Sequence, residues 1–328
     1  MRLAHVLAAL SLAATAVVVA CVGEDPSASP GGSDAGADGA RGVDGGGADG
    51  AADALGGPRC NPSGEFQAPQ ELAMGLVGDA DDLGPRLSPD EKTLYLSTQR
   101  LAGGRFALAR GRRAGDLAFA VEATPLVRSA VTGGQELSPS VSGDGKLVVF
   151  SAVVNPDGGP FAAKSLYYAE ESDAGAFGTP MAVLGGIYSS DDADPYLVPD
   201  RSALWVTFTD GAGIRSVHRL RRGNVGESLY TSPQEILAQA GVSFAAPVVS
   251  PDERTLFAAR ATGAGSDFDI VLYSRSASGE LSGGGPIVAL NKPGAIDVPT
   301  WVSPDGCALY FTSNRMGPMR SYVSYRAR

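Results

Sequence analysis

From Pro85 onward the hydrophobic and polar positions follow one phrase five times over. It reads PRLSPDEKTLYLST from Pro85, PSVSGDGKLVVFSA from Pro139, PYLVPDRSALWVTF from Pro195, PVVSPDERTLFAAR from Pro247 and TWVSPDGCALYFTS from Thr300. The aligned aspartates Asp90, Asp144, Asp200, Asp252 and Asp305 are spaced by 54, 56, 52 and 53 residues. A repeat of that period marks a fold built from stacked copies of one supersecondary unit. Within each copy a short apolar strand runs into a turn, where proline pre-sets φ and the aspartate side chain satisfies turn amides. A β-rich strand such as Leu309-Tyr310-Phe311-Thr312 follows, so the unit opens with a hairpin. A third strand recurs in Ser165–Tyr168, Ile270–Tyr273 and Ser321–Ser324, and a fourth is expected at Pro180–Leu184 and Pro286–Leu290. Four strands per unit of about fifty residues is the pattern of a propeller blade.

The chain ends fit the same pattern. The last copy stops on its third strand, while Phe66–Ala73 resembles the fourth-strand segment Phe177–Leu184. The expectation is an all-β propeller of five four-stranded blades spanning residues 61–328, its fifth blade closed by an N-terminal strand that leaves no open edge. The alternative is an open array. Cys60 precedes that closing strand and Cys307 follows the turn in the blade it completes, so a disulfide between them is geometrically permitted; two free thiols are the other possibility.

Before the propeller the pattern changes twice. Residues 1–20 hold Arg2 and then an apolar run from Val6 to Ala20, the core of a secretory signal rather than a membrane span. Val18-Val19-Ala20-Cys21 resembles the bacterial lipobox, which implies acylation of Cys21 and a stable membrane anchor; the bland alternative is an ordinary signal peptide with a chance cysteine. Residues 21–60 form a Gly/Ala/Asp-rich tether that cannot bury enough surface to order itself. Seven of its acids face Arg41 and Arg59, giving half of the chain's net charge of −10, and such charge extends a spacer.

Ser303–Arg315, SPDGCALYFTSNR, with Ser88-Pro89-Asp90 and Ser250-Pro251-Asp252, resembles the WD-like Pro-Asp propeller repeats of the TolB C-terminal domain and of other bacterial envelope proteins. Asp269-Ile270 falls where that family often has an Asp-Ile-Tyr strand, and Arg100 and Arg315 match the arginine that usually closes the second strand. The resemblance covers Pro85 to Arg328 and implies the propeller fold. It implies no particular task, because the matched residues are scaffold. The chain departs from TolB in leaving no room for an N-terminal α/β domain and in its longer blades.

Charge and composition narrow the function. A pI near 4.7 argues against nucleic acid as partner. His5 lies in the leader, which leaves His218 alone for any Ser-His pair and excludes a multi-histidine metal site within one mature chain. Three positions before each opening Pro or Thr stand Asp82, Glu136, Asp192, Phe244 and Asp297. With Asp81, Asp191 and Asp194 nearby, these acids are expected to ring one mouth of the channel. There they would bind Ca²⁺, a cationic peptide or a sugar, or else cap local turn amides. Paired carboxylates in a five-bladed propeller also describe a glycosidase, although no spacing here identifies an acid and a base. Trp205, Trp301, Tyr167 and Tyr168 read as blade core before they read as sugar platforms. Together these features point to a lipid-anchored propeller, on the periplasmic face of the outer membrane or the cell surface, that binds an envelope protein, peptide or glycan without catalysis and needs no cofactor. The alternative is a carboxylate-dependent glycan hydrolase.

Overall fold

The computed structural model describes residues 59–75, 81–102, 104–127, 135–154, 163–172, 176–183, 193–223, 229–262 and 267–328. The leader, Cys21, nearly all of the tether and Asp192 lie outside the described residues. Among the described residues every regular element is a strand.

The first strand, β1 (Gln70–Glu71), stands apart from the sequential blades. Blade 1 comprises β2 (Asp82–Leu87), β3 (Thr93–Ala102), β4 (Arg105–Arg113) and β5 (Phe119–Val121). Blade 2 comprises β6 (Gln135–Val141), β7 (Leu147–Val154), β8 (Ala163–Glu170) and β9 (Met181–Ala182). Blade 3 has β10 (Ala193–Leu197), β11 (Ala203–Thr209), β12 (Arg215–Arg222) and β13 (Tyr230–Leu237). Blade 4 has β14 (Val242–Val249), β15 (Thr255–Thr262), β16 (Asp269–Arg275) and β17 (Leu281–Pro286). Blade 5 has β18 (Asp297–Val302), β19 (Ala308–Ser313) and β20 (Arg320–Tyr325), and takes β1 as its fourth strand. All five sheets are antiparallel meanders, and the first strands pack in the order β2, β6, β10, β14, β18 and back to β2. The molecule is a five-bladed propeller, closed as the repeat and the N-terminal segment predict.

Each blade buries both faces of its middle strands against its neighbours, so these strands are apolar throughout rather than alternating. In β7, Val148 and Phe150 pack with Tyr95 and Leu108 of blade 1, while Leu147 and Val149 pack with Leu204 and Val206 of blade 3.

The turn after the first strand repeats its chemistry atom for atom in four of the five blades. Ser88, Ser142, Ser250 and Ser303 each donate a hydroxyl hydrogen bond of 2.5–2.6 Å to the aspartate two residues on. Their oxygens in turn accept the amide five residues on, at 2.8–3.0 Å. In blade 3 Val198 replaces the serine, and Asp200 accepts from Ser202, its amide at 2.9 Å and its hydroxyl. These local bonds lower the carboxyl pKa of Asp90, Asp252 and Asp305, that of Asp305 to about 2 against the opposing push of burial, because Arg59, Ser303 and the Cys307 amide all favour its charged form. The residue after every one of these aspartates is left-handed: Glu91, Gly145, Arg201, Glu253 and Gly306, with φ between 54° and 74°. Three carry charged side chains at a conformation that favours glycine, and each makes a tertiary contact. Arg201 reaches Asp144 of blade 2 at 2.5 Å. Glu253 takes the Arg219 fork at 2.7 and 2.8 Å and the Trp205 indole at 2.9 Å, both from blade 3. Glu91 meets Arg59 at 2.5 Å, which also holds Asp305 of blade 5 at 2.6 Å.

Closure joins the N-terminal segment to the last strand, with backbone bonds from Asn61 to the Ala327 carbonyl, Gln67 to that of Tyr325, Leu72 to that of Ser321 and Ala327 to that of Glu65. β1 pairs two residues with β20, and Phe66 adds one bridge to Arg326. Cys60 and Cys307 reinforce it as a disulfide with Cα atoms 5.6 Å apart.

One expected strand moves. The fourth strand of blade 4 is Leu281–Pro286, not Pro286–Leu290, which forms a turn closed by Leu290 N–H on the Ile287 carbonyl. The Gly283-Gly284-Gly285 run lies within this strand. An outer strand exposed on one face needs few apolar residues, and Gly284 lies so close to Tyr273 that a Cβ would stand 2.5 Å from its ring.

Candidate functional site

The propeller brings its five first strands together, so the central channel is the natural site to build. Each of those strands carries a bulge: the register slips between Leu83 and Arg86, Leu137 and Ser140, Ala193 and Tyr196, Ala245 and Val248, and Pro299 and Trp301. In four blades the bulge is an X-Pro pair whose first residue, Gly84, Ser138, Asp194 or Ala246, is left-handed. Proline removes a ladder donor there, and bulges re-aim side chains and amides. Hydroxyls of neighbouring blades capture the freed groups. Thr312 accepts from the Gly84 amide at 3.0 Å, Thr207 from the Ala246 amide at 3.1 Å and Ser140 from the Leu197 amide at 2.8 Å. Thr300 donates to the Pro85 carbonyl at 2.7 Å, and Ser138 to the Asp194 carboxylate at 3.0 Å.

The expected acids stand at the starts of these strands, and their fates differ. Asp82, 2% exposed, accepts from Thr98 Oγ1 at 2.8 Å and from Arg100 Nη2 and Nε at 2.7 and 3.1 Å. Asp297, fully buried, accepts from Arg315 Nη2 at 2.6 Å and from the Lys292 amide at 2.8 Å. Both arginines sit two residues beyond the acid's register partner, Thr98 or Ser313, on the second strand of the same blade. In blade 2 that register partner is Ala152, and the residue two further on is Val154, so Glu136 has no arginine. Its Oε2 accepts from the Leu108 amide at 3.4 Å, and burial pushes its carboxyl pKa up. Phe244 replaces the acid in blade 4 and packs edge-on to Tyr273. Asp82 and Asp297 thus face guanidinium groups rather than an open mouth, and their oxygens do not fit a Ca²⁺ ligand set. Among the described residues no three of His, Cys, Asp and Glu gather as metal ligands.

Sequence reasoning passed over one arrangement, at Arg86, and named His218 without its hydrogen-bond partner. Arg86, on β2, lines a small cavity at the turn end of the channel together with Ser140, Tyr196 and Trp301. His218 accepts or donates at Nε2 toward Ser216 Oγ at 2.8 Å and packs on Phe208, with burial lowering its pKa against the opposing field of Glu235. No spacing signals the first, because the orphaned arginine is defined by what neighbouring blades fail to supply. The second was visible as the alternation in Ser216-Val217-His218. Of the aromatics, Trp205 and Trp301 are buried in the blades, while Tyr167 and Tyr168 are half-buried.

No family model matches the chain, and no curated protein matches it in sequence. Solved structures do resemble it. TolB from Acinetobacter baumannii is 16% identical over 77% of this chain with a TM-score of 0.47, and this chain spans 56% of that protein's length. An oligogalacturonate lyase in complex with manganese is 14% identical, with 77% of this chain and 78% of that one covered and a TM-score of 0.45. A thermostable family-43 glycoside hydrolase is 13% identical over 76% of this chain and 90% of its own, with a TM-score of 0.54. At 13% identity and a TM-score of 0.54 the likeness to the glycoside hydrolase is one of fold alone.

Proposed function

We propose that this is an exported bacterial lipoprotein, anchored through Cys21 at the periplasmic face of the outer membrane or the cell surface. Its propeller acts there as a non-catalytic module that binds a protein, peptide or glycan of the envelope. The lipobox-like Val18–Cys21 and the acidic tether support the anchor. The observation that carries the binding role is the neutralisation of Asp82 and Asp297 by Arg100 and Arg315. A glycosidase needs one free carboxyl to donate a proton and a second to attack or to activate water. These two inner-strand acids serve as struts instead. Glu136 favours the rival hydrolase reading, since a buried carboxyl with a raised pKa has the property of a general acid.

The two readings separate in one pair of assays. Affinity capture from envelope extract should retain a partner with wild type and Glu136→Gln alike, and neither protein should cleave envelope glycans. Glycan turnover by wild type that disappears in Glu136→Gln would establish the hydrolase instead. Mass spectrometry of the membrane fraction should find an acylated Cys21, and Cys21→Ser should release the protein into the soluble fraction.

A further inference from the structure

The propeller holds a buried guanidinium two of whose nitrogens lack a hydrogen-bond acceptor. Arg86 is 4% exposed, and its Nε and Nη1 are buried with no hydrogen-bond acceptor. Its guanidinium lies over the Tyr196 ring, 5.0 Å from the centroid. Buried guanidinium groups are ordinarily paired with carboxylates, as Arg100 and Arg315 are in this same molecule. Arg86 faces a cavity of about 20 Å³ lined by Ser140, Tyr196 and Trp301 and bounded at the turn end by Pro89, Gly143 and Pro199. A cavity needs about 10–15 Å³ to admit a water, so this one accepts a guest of only a few atoms.

We infer that the turn end of the central channel is a site for a compact monovalent anion, of chloride or formate size, held by the Arg86 guanidinium. The alternatives inside the molecule are accounted for. Asp194 contributes a favourable field at Arg86, while its Oδ1 accepts from Ser138. The Tyr196 ring stabilises the cation through its face and leaves the N–H edges free. Burial lowers the Arg86 pKa to about 10, which still leaves it charged at neutral pH and in need of a counter-ion. An anion supplies both the missing acceptor and the missing charge. Ser140 Oγ, already accepting from the Leu197 amide, retains its own proton to donate toward the guest. The site does not depend on the envelope partner, so loss of partner capture leaves it standing and loss of the site leaves the capture result unchanged.

The test is a formate titration of the melting temperature of the full chain, run on wild type and on Arg86→Met. The wild-type midpoint is expected to rise saturably with sodium formate, while that of Arg86→Met follows only the shallow salt response common to both proteins. In parallel, the Arg86 Nε–Hε resonance of ¹⁵N-labelled wild type should shift saturably in the same range. This keeps the question decidable if the methionine variant fails to fold. Acetylglycine serves as a second probe. A response to formate alone marks a closed free-anion site, and a response to both marks one that also takes the carboxylate of a chain end. Parallel midpoints in the two proteins, or an Arg86 resonance indifferent to formate, overturns the inference.

Discussion

Removing the Cys60–Cys307 disulfide is the perturbation whose magnitude the structure defines most directly. The bond joins residues 247 apart and ties the start of the closing segment to the turn end of blade 5. In the chain-entropy account, cross-linking a loop of that length removes disorder from the unfolded state, stabilising the fold by about 5 kcal/mol at 25 °C. The rest of that seam is held by two ladder pairs, the Phe66 bridge, the backbone amides of Asn61, Gln67, Leu72 and Ala327, the Arg59–Asp305 ion pair, and the buried side chains Phe66, Leu72 and Met74. With an unfolding entropy of about 2.1 cal/mol/K per residue over the roughly 270 residues of the propeller, such a loss corresponds to a fall in melting temperature of about 10 °C. The assay is differential scanning calorimetry of oxidised protein, reduced protein and the Cys60→Ser/Cys307→Ser variant, with thiol state checked by alkylation and mass. Reduced protein and the double variant should melt together, well below the oxidised form, and reductant should leave the variant unmoved. If the oxidised and reduced forms, with thiols verified, melt within about 2 °C of each other, the covalent clasp is not what secures the ring and the β1–β20 pairing suffices without it.

Other consequences follow from the same geometry. Asp297→Ala strands the Arg315 guanidinium beside Phe311 and Tyr322 and should cost about 3–5 kcal/mol in urea unfolding, as breaking a buried pair does. Glu136→Gln should stabilise. The folded pKa of Glu136 lies above its unfolded value, so its stability contribution is complete below the unfolded pKa near 4.5 and is lost as pH rises through the folded one. The melting temperature of Glu136→Gln should therefore match wild type near pH 4 and exceed it at pH 7, and an equal difference at both would refute the assignment. Glu253→Ala removes the acceptor for Arg219 and Trp205 at a left-handed residue and should cost about 2–3 kcal/mol. Glu253→Gly loses the same bonds but relieves the backbone, so it should be about 1 kcal/mol less costly, and the opposite order would count against strain at φ 54°.

The fold was legible in the sequence because its determinants are local and repeated. Ser-Pro-Asp turns close through bonds spanning two to five residues, and apolar strands of similar length recur at one period, so five copies announce five blades. The closing strand was legible too, since Phe66–Ala73 resembles another blade's fourth strand. The fourth strand of blade 4 was misplaced because an outer strand is selected by its neighbour's hydrogen bonds, and Leu281–Pro286 satisfies them with three glycines. At the channel, sequence supplied the acids and the arginines separately. What joined Asp82 to Arg100 and Asp297 to Arg315, and left Glu136 without a cation, was the register of the first and second strands, bulge included. Arg86 was further out of reach, since its isolation depends on side chains contributed by three other blades. Turn chemistry and periodicity travel with the chain and can be read along it. The state of a buried charge is fixed by everything within a few ångströms of it, and around Arg86 those neighbours come from positions as far along the chain as Ser140, Tyr196 and Trp301.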